Sequence, residues 1–248
     1  MQFIISPAKK MLINSEDFDV SGLPQYIKQT QEILTVLQSL SITEAQQLWR
    51  TSAKLTQSNF DNLQHMSLTK KMTPAILAFS GIQYQYMAPG ILTAPALAYL
   101  QDHLRILSGF YGILAPFDGI VPYRLEMQAK LTIGNYKNLY SFWGSKLADA
   151  LLADHHDPII NLASKEYSKA ITPYLSTKDT FIDIVFGHMV DGKLKTRATF
   201  AKMARGEMVR FAAENQLTDV NELKKFNHLD YVYDSTRSTD TKYIFIKN

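Results

Sequence analysis

Three short apolar runs, each closed by a polar turn, limit what this chain can fold into more than any other feature. Phe3-Ile4-Ile5 ends at Ser6-Pro7-Ala8-Lys9-Lys10, Ala75-Ile76-Leu77-Ala78-Phe79 lies between Pro74 and Gly81, and Pro158-Ile159-Ile160-Asn161-Leu162 runs into Ala163-Ser164-Lys165-Glu166-Tyr167. Such runs have the length of strands buried on both faces, as in parallel sheets covered by helices. Segments of helical spacing separate them. Pro24 opens one with Ile27, Leu34 and Leu37 on a face; Thr43-Glu44-Ala45-Gln46 has capping-box form and starts a second that carries Leu48 and Trp49 inward; a third covers Ser58 to Met66. The pattern predicts an α/β fold, built as a single compact mixed α/β domain. In such folds ligands bind beyond the carboxyl ends of strands, which singles out Ser6, Lys9, Ser164 and Glu166.

Between the second and third runs, Leu104 to Met127 concentrates three glycines, two prolines and two arginines among large apolar residues. A helix opened by Pro95 is expected to run through Leu97, Leu100, Leu104 and Leu107, with Gly109 as its left-handed C-cap and a bent segment after it. Further on, Phe181 to Phe186 and Leu194 to Thr199 flank Asp191-Gly192 and should form an antiparallel hairpin. The next helix, Thr199 to Asn215, places Lys202, Arg205 and Arg210 within an arc of about 140°, opposite Phe200, Ala204 and Phe211. Thr218 caps a short helix through Leu223, and Tyr231-Val232-Tyr233 with Tyr243 to Ile246 reads as a terminal strand pair.

The chain has 248 residues, 46% apolar and 20% charged, with no compositional break or linker, so one domain over residues 1–248 is expected. No apolar run is long enough to span a bilayer, and no charged region precedes Phe3; a cytoplasmic monomer without a membrane partner is expected. Cysteine is absent, which excludes disulfides, thiolate metal sites and sensing thiols, so any redox role is indirect. A net charge of +3 and a pI near 8.8 leave the distribution of charge, not its total, to argue for a polyanionic partner. GxxxxGK, GxGxxG, GxSxG and HExxH patterns are all missing. Asp154-His155-His156-Asp157 has the composition of a metal cluster, but neighbours at a helix end diverge and no second ligand pair completes a set. It reads as an exposed loop, and neither a metal nor a cofactor is expected.

The polar residues left are Ser6, Lys9, Arg105, Arg124, Glu126, Ser164, Glu166, Lys202 and Arg205. Brought together they form a basic concave site with embedded carboxylates. Such a site can hold DNA phosphates. It can equally hold a small phosphorylated or nucleoside-like substrate, with Glu126 or Glu166 as general acid or base.

Six segments resemble, in order over essentially the whole chain, the YaaA family of bacterial peroxide stress resistance proteins. They are Ile5-Ser6-Pro7-Ala8-Lys9, His103 to Gly112, Pro122-Tyr123-Arg124-Leu125-Glu126-Met127, Tyr140 to Gly144, Asn161 to Tyr167 and Lys202-Met203-Ala204-Arg205-Gly206. The resemblance implies a cytoplasmic protein that limits hydrogen peroxide damage with double-stranded DNA as its partner; a non-enzymatic DNA-binding role is the leading expectation, and an enzymatic one stays open beside it. The resemblance also implies a YaaA-type fold with a positively charged cleft for double-stranded DNA and a helix-hairpin-helix-like element, placed at Leu104 to Met127. The nucleic-acid-binding set it implies is Ser6, Lys9, Arg105, Gly109, Gly112, Tyr123, Arg124, Asn161, Ser164, Tyr167, Lys202 and Arg205. The enzyme reading, an activity on a nucleobase, nucleotide or DNA lesion, rests on Glu126 or Glu166. The chain departs from the family's usual pattern at Ala115, where arginine is usual, at Gly81-Ile82 and at Leu229-Asp230-Tyr231.

Overall fold

Phe3, Ile4 and Ile5 are fully buried in β1 (Gln2–Ile5), which is why the run shows no polar alternation: both faces of the strand are covered. The computed structural model describes residues 1–13, 18–153 and 157–247. Around β1 the chain builds an eight-stranded sheet from β2 (Leu104–Ser108), β3 (Gly112–Leu114), β4 (Ile159–Leu162), β5 (Phe181–Val190), β6 (Lys193–Lys195), β7 (Tyr231–Tyr233) and β8 (Lys242–Lys247). The order is β7-β8-β5-β4-β1-β2-β3, with β6 paired to β5. Strands β8, β5, β4, β1 and β2 run parallel, whereas β7, β6 and β3 are antiparallel additions. The chain is therefore a single compact mixed α/β domain with a mostly parallel sheet.

The strand order fixes where a crevice opens. From β1 the chain passes to β2 on one side, and it later returns to β4 on the other. Ile5 is aligned with Ile106 and with Leu162, so the carboxyl ends of all three strands share one edge. A reversal of strand order at such an edge is where open α/β sheets leave room for a ligand. Helix Ala94–His103 packs on β1 and β2, and the long helix Ala198–Glu214 lies across helix Ile82–Met87 and β5. No helix of the described residues is long and apolar enough to cross a membrane.

Several expected elements form where expected. β4 follows Pro158, Asp191 and Gly192 both take left-handed angles in the turn between β5 and β6, and β7 pairs with β8. Others are corrected. Ala75–Ala78 is one helical turn, with only Phe79–Ser80 extended and paired antiparallel to Lys10–Met11. Its first two amides bond to a distant segment, Ala75 N–H donating to the Asp118 carbonyl and Ile76 N–H to that of Pro116. The helix from Pro95 stops at His103, and Leu104–Ser108 is a strand. Leu97, Leu100, Leu104 and Leu107 fit a helical stripe, but Leu104, Ile106, Leu107 and Ser108 are all fully buried, as a two-faced strand requires.

The segment Leu104 to Met127 therefore contains strands and turns and no helix, which removes the expected helix-hairpin-helix element. Gly109 is not a C-cap. A Cβ there would sit 2.9 Å from the Leu125 carbonyl oxygen and 3.0 Å from Met127 N, so the glycine lets two backbone segments touch. Gly112, at φ +77, makes the hairpin turn against the Trp143 ring. The second helix starts two residues earlier than Thr43 suggests: Ser41 is the N-cap of Ile42–Trp49 and forms the capping box with Glu44. The third helix is Ala53–Gln64, capped by Ser52, and a 3-10 segment Val220–Lys225 capped by Asp219 replaces the helix expected from Thr218. Of the Asp154 to Asp157 run, only Asp157 is among the described residues; its carboxylate lies 3.5 Å from the N-terminal ammonium.

Candidate functional site

At the shared edge of β1, β2 and β4 lies a cavity of about 560 Å³. The turn after β1 contributes Ser6, Lys9 and Lys10, the turn after β4 contributes Ser164, Glu166 and Tyr167, and the segment after the β2–β3 hairpin contributes Tyr123, Arg124 and Glu126. Helix Ile82–Met87 adds Gln83 and Tyr84, and one side of the long helix adds Lys202 and Arg205. Five cationic side chains thus face two carboxylates.

Each piece is fixed by the fold. The Ser164 N–H donates to Ser6 Oγ at 2.8 Å, and Ser6 Oγ–H donates to Ser164 Oγ at 3.2 Å, which ties the two strand-end turns together. Tyr84 OH donates to the Ser6 carbonyl at 3.0 Å. Tyr123 OH is 2.7 Å from the buried Ser108 Oγ, which also accepts from the Tyr111 amide at 2.9 Å. Burial pushes the phenols of Tyr84, Tyr123 and Tyr167 well above the ordinary tyrosine value, so they act as neutral hydrogen-bonding groups.

The charged groups are arranged asymmetrically. Glu126 Oε1 lies 3.0 Å from Arg124 Nη2 and 3.5 Å from Lys9 Nζ; these contacts are close enough for ion pairs but lack the alignment of directed hydrogen bonds. The Arg124 and Glu126 side chains are each 14% exposed, whereas Lys9 is 70% exposed and pairs weakly. Glu166 Oε1 accepts from the Gln128 amide at 3.2 Å. Burial, followed by the nearby Glu126 charge, still lifts its carboxyl above the usual range against that hydrogen bond and Lys9. Arg205 is drawn down by burial, with Asp183 opposing. The Nε groups of Arg124 and Arg205 and the Gln83 Nε2 are buried donors without an acceptor among the described residues, and Gln83 as a whole is only 7% exposed. Buried donors of this kind are normally satisfied, so three at one cavity are suited to an acceptor-rich ligand.

Of the site residues expected from sequence, Ser6, Lys9, Tyr123, Arg124, Ser164, Tyr167, Lys202 and Arg205, with Glu126 and Glu166, line this cavity. Arg105, Gly109, Gly112 and Asn161 do not. Arg105 sits near the opposite end of β2, donating to the carbonyls of Gln101 and Leu104. Asn161 is buried within β4, donating to Asp183 Oδ1 at 2.7 Å and accepting from the Ala163 amide. Gly109 and Gly112 shape the hairpin, and the Gly109 carbonyl accepts from Trp143 Nε1 at 3.0 Å. Arg210, on the basic arc of the long helix, pairs with Glu214 away from the cavity. Sequence reasoning missed Gln83; one of two glutamines in the short helix Ile82–Met87 carries no signal of its own.

Comparison with known proteins supports the family resemblance. A family model described as peroxide stress protein YaaA matches residues 1–237. A UPF0246 protein of Lactiplantibacillus plantarum is 57% identical over 246 residues, covering 99% of each chain. Those of Pediococcus pentosaceus and Lachnoclostridium phytofermentans are 54% and 50% identical, over 100% of this chain and 98% and 96% of theirs. Near-complete coverage by both the model and these relatives means that the chain belongs to the YaaA (UPF0246) family of peroxide stress proteins.

Proposed function

We propose that this protein serves the peroxide stress response by binding DNA where a nucleotide is displaced from the duplex. The displaced nucleotide enters the strand-end cavity, and Lys9, Lys10 and Lys202 at its mouth hold the adjoining phosphates. The observation that carries this reading is a cavity with five cations and three unpaired buried donors whose volume of about 560 Å³ suits one small ligand. A base presents acceptors to Gln83 and Arg205, and the phosphates supply the salt-sensitive part of the affinity. An intact duplex is too large to enter.

The test is a titration of a fully paired duplex against the same duplex with one bulged nucleotide, at several salt concentrations. Tighter binding of the bulged form, weakening as salt rises, is the expected result. Equal affinity for both forms, or affinity indifferent to salt, overturns the reading.

The unequal settings of the two carboxylates favour a second, enzymatic reading. Glu126 is held in an ion pair, whereas burial lifts the carboxyl of Glu166, the division expected of a base and an acid acting on one bound nucleotide. It requires that Glu166→Gln abolish turnover of a nucleoside or damaged base while DNA affinity survives; no turnover of any such substrate by the unaltered protein sinks it.

A further inference from the structure

We propose that a second cavity beside the first holds the next nucleotide of the same strand, so that the protein grips two consecutive unpaired nucleotides with their linking phosphate at Lys9 and Arg124. This inference rests on the nucleotide reading of the first cavity.

The second cavity, of about 550 Å³, lies between helix Ile42–Trp49 and residues 128–132. It is as large as the first and shares with it a wall made of Lys9, Arg124 and Glu126. Its own polar character is cationic. Arg50 and Lys130 join Lys9 and Arg124, while the Glu44 carboxylate is already engaged by the Ser41 amide and hydroxyl in the capping box, both at 2.7 Å. Val36, Leu40, Leu48 and Leu131 supply apolar surface against which a base or sugar can lie.

An independent observation points to a ligand here. Trp49 lines both this cavity and a smaller adjoining one of about 180 Å³, and is 3% exposed, yet its indole Nε1 has no acceptor among the described residues. A buried indole N–H ordinarily finds a partner, and a nucleotide oxygen or ring nitrogen would provide one. The shared wall has matching spare capacity. A guanidinium carries five N–H donors, and Arg124 directs Nη2 at Glu126 while its buried Nε has no partner. Lys9 is exposed enough to swing toward an anion. A phosphodiester linking the two occupants lies where both cations are within reach, and it competes with Glu126 for them.

The experiment compares thymidine 5′-monophosphate with the 5′-phosphorylated dinucleotide of thymidine, by calorimetric titration of the full chain at low salt. The dinucleotide is expected to bind at least about tenfold more tightly, the scale of one added base contact plus one phosphate. Trp49→Phe, which removes the N–H and keeps an aromatic ring, and separately the exposed Arg50→Gln, are expected to cut that gain several-fold while mononucleotide affinity stays unchanged. If the mononucleotide binds and the dinucleotide gains nothing, or if the gain survives both substitutions, the second site is overturned and the first reading stands. If neither ligand binds, the nucleotide reading of the first cavity falls and this inference with it.

Discussion

Substituting Gly206 by alanine tests how the walls of the candidate site are held together. Gly206 lies in the long helix next to Arg205, and the helix crosses Ile82–Met87 at this point. A Cβ on Gly206 would stand 2.0 Å from the Gln83 carbonyl oxygen, 2.9 Å from its carbon and 3.0 Å from Met87 N. Carbon and carbonyl oxygen approach to about 3.3 Å, so the two helices must part by roughly 1.3 Å. All three obstacles are backbone, and no side-chain rotation relieves them. Alanine gains about 1 kcal/mol over glycine in helix propensity, whereas forced separation of a packed contact costs about 1–3 kcal/mol and more when backbone must move. Because backbone must move, the cost lies at the upper end of that range and the balance predicts a loss of about 2 kcal/mol, a fall in urea midpoint on the order of 1 M. Nothing lies within 4 Å of a Cβ at Gly90, so Gly90→Ala serves as the control and should leave the midpoint almost unchanged. Because Gln83 and Arg205 flank the contact from opposite sides, nucleotide affinity should fall in Gly206→Ala as well. A Gly206→Ala protein as stable as the parent, which propensity alone would give, refutes the reasoning.

Three further outcomes are expected. Burial lifts Asp118 to about 6 against its bond from the Ala115 amide and the Arg105 charge, so the native state holds that proton more tightly than the unfolded chain, where aspartate titrates near 4; the stability it lends is complete below about pH 4 and is lost as pH rises through about 6. Asp118→Asn should therefore reduce the stability lost between pH 4 and 7 by up to about 3 kcal/mol in urea titrations, and an unchanged pH dependence would count against it. Glu166, raised by burial, adds negative charge to the cavity as pH climbs past the ordinary glutamate range, so affinity for an oligonucleotide without terminal phosphate should weaken on that rise and the effect should shrink in Glu166→Gln; equal pH slopes in the two proteins would contradict this. Ser41→Ala removes a capping box and should cost about 1 kcal/mol, with an effect below a few tenths refuting the assignment of the cap.

The sheet was legible where residue type and punctuation agree. Phe3-Ile4-Ile5 before Pro7, Ile159 to Leu162 after Pro158, and Phe181 to Phe186 before Asp191-Gly192 leave few alternatives to strand, whereas of the run Leu194 to Thr199 only Leu194 and Lys195 are extended and the long helix already begins at Ala198. Leu104 to Ser108 was not legible, because leucines at 97, 100, 104 and 107 satisfy a helical stripe while the last of them also belong to a run buried on both faces, and periodicity cannot choose. Ala75 to Phe79 failed for the opposite reason: a four- to five-residue apolar run suits a buried strand or one buried turn of helix, and contacts with residues 116–118 decide. The cavity was legible at strand ends, since Ser6, Lys9, Ser164 and Glu166 follow strands directly. Arg105 and Asn161 lie inside strands, where neighbours and side-chain direction, not position in the chain, set their roles. Gln83 could not be found at all, because its importance comes from burial without a partner.

The stretch Leu104 to Met127 owes its place in the site to rigidity, not to a DNA-binding hairpin. Ser108 Oγ accepts from the amides of Phe110 and Tyr111 and pairs with Tyr123 OH, and Tyr111 OH accepts from the Val121 amide. Phe110 and Tyr123 stack at 4.9 Å between ring centres, and Gly109 brings the hairpin against the backbone of Leu125 to Met127. Arg124 and Glu126 therefore issue from a segment anchored on both sides by buried hydrogen bonds and aromatic contacts. Holding a guanidinium in place before ligand arrives removes part of the ordering cost of binding. If the two cavities bind nucleotides as proposed, Ser108, Tyr111 and Tyr123 help to set the affinity through the position they give Arg124 between the cavities.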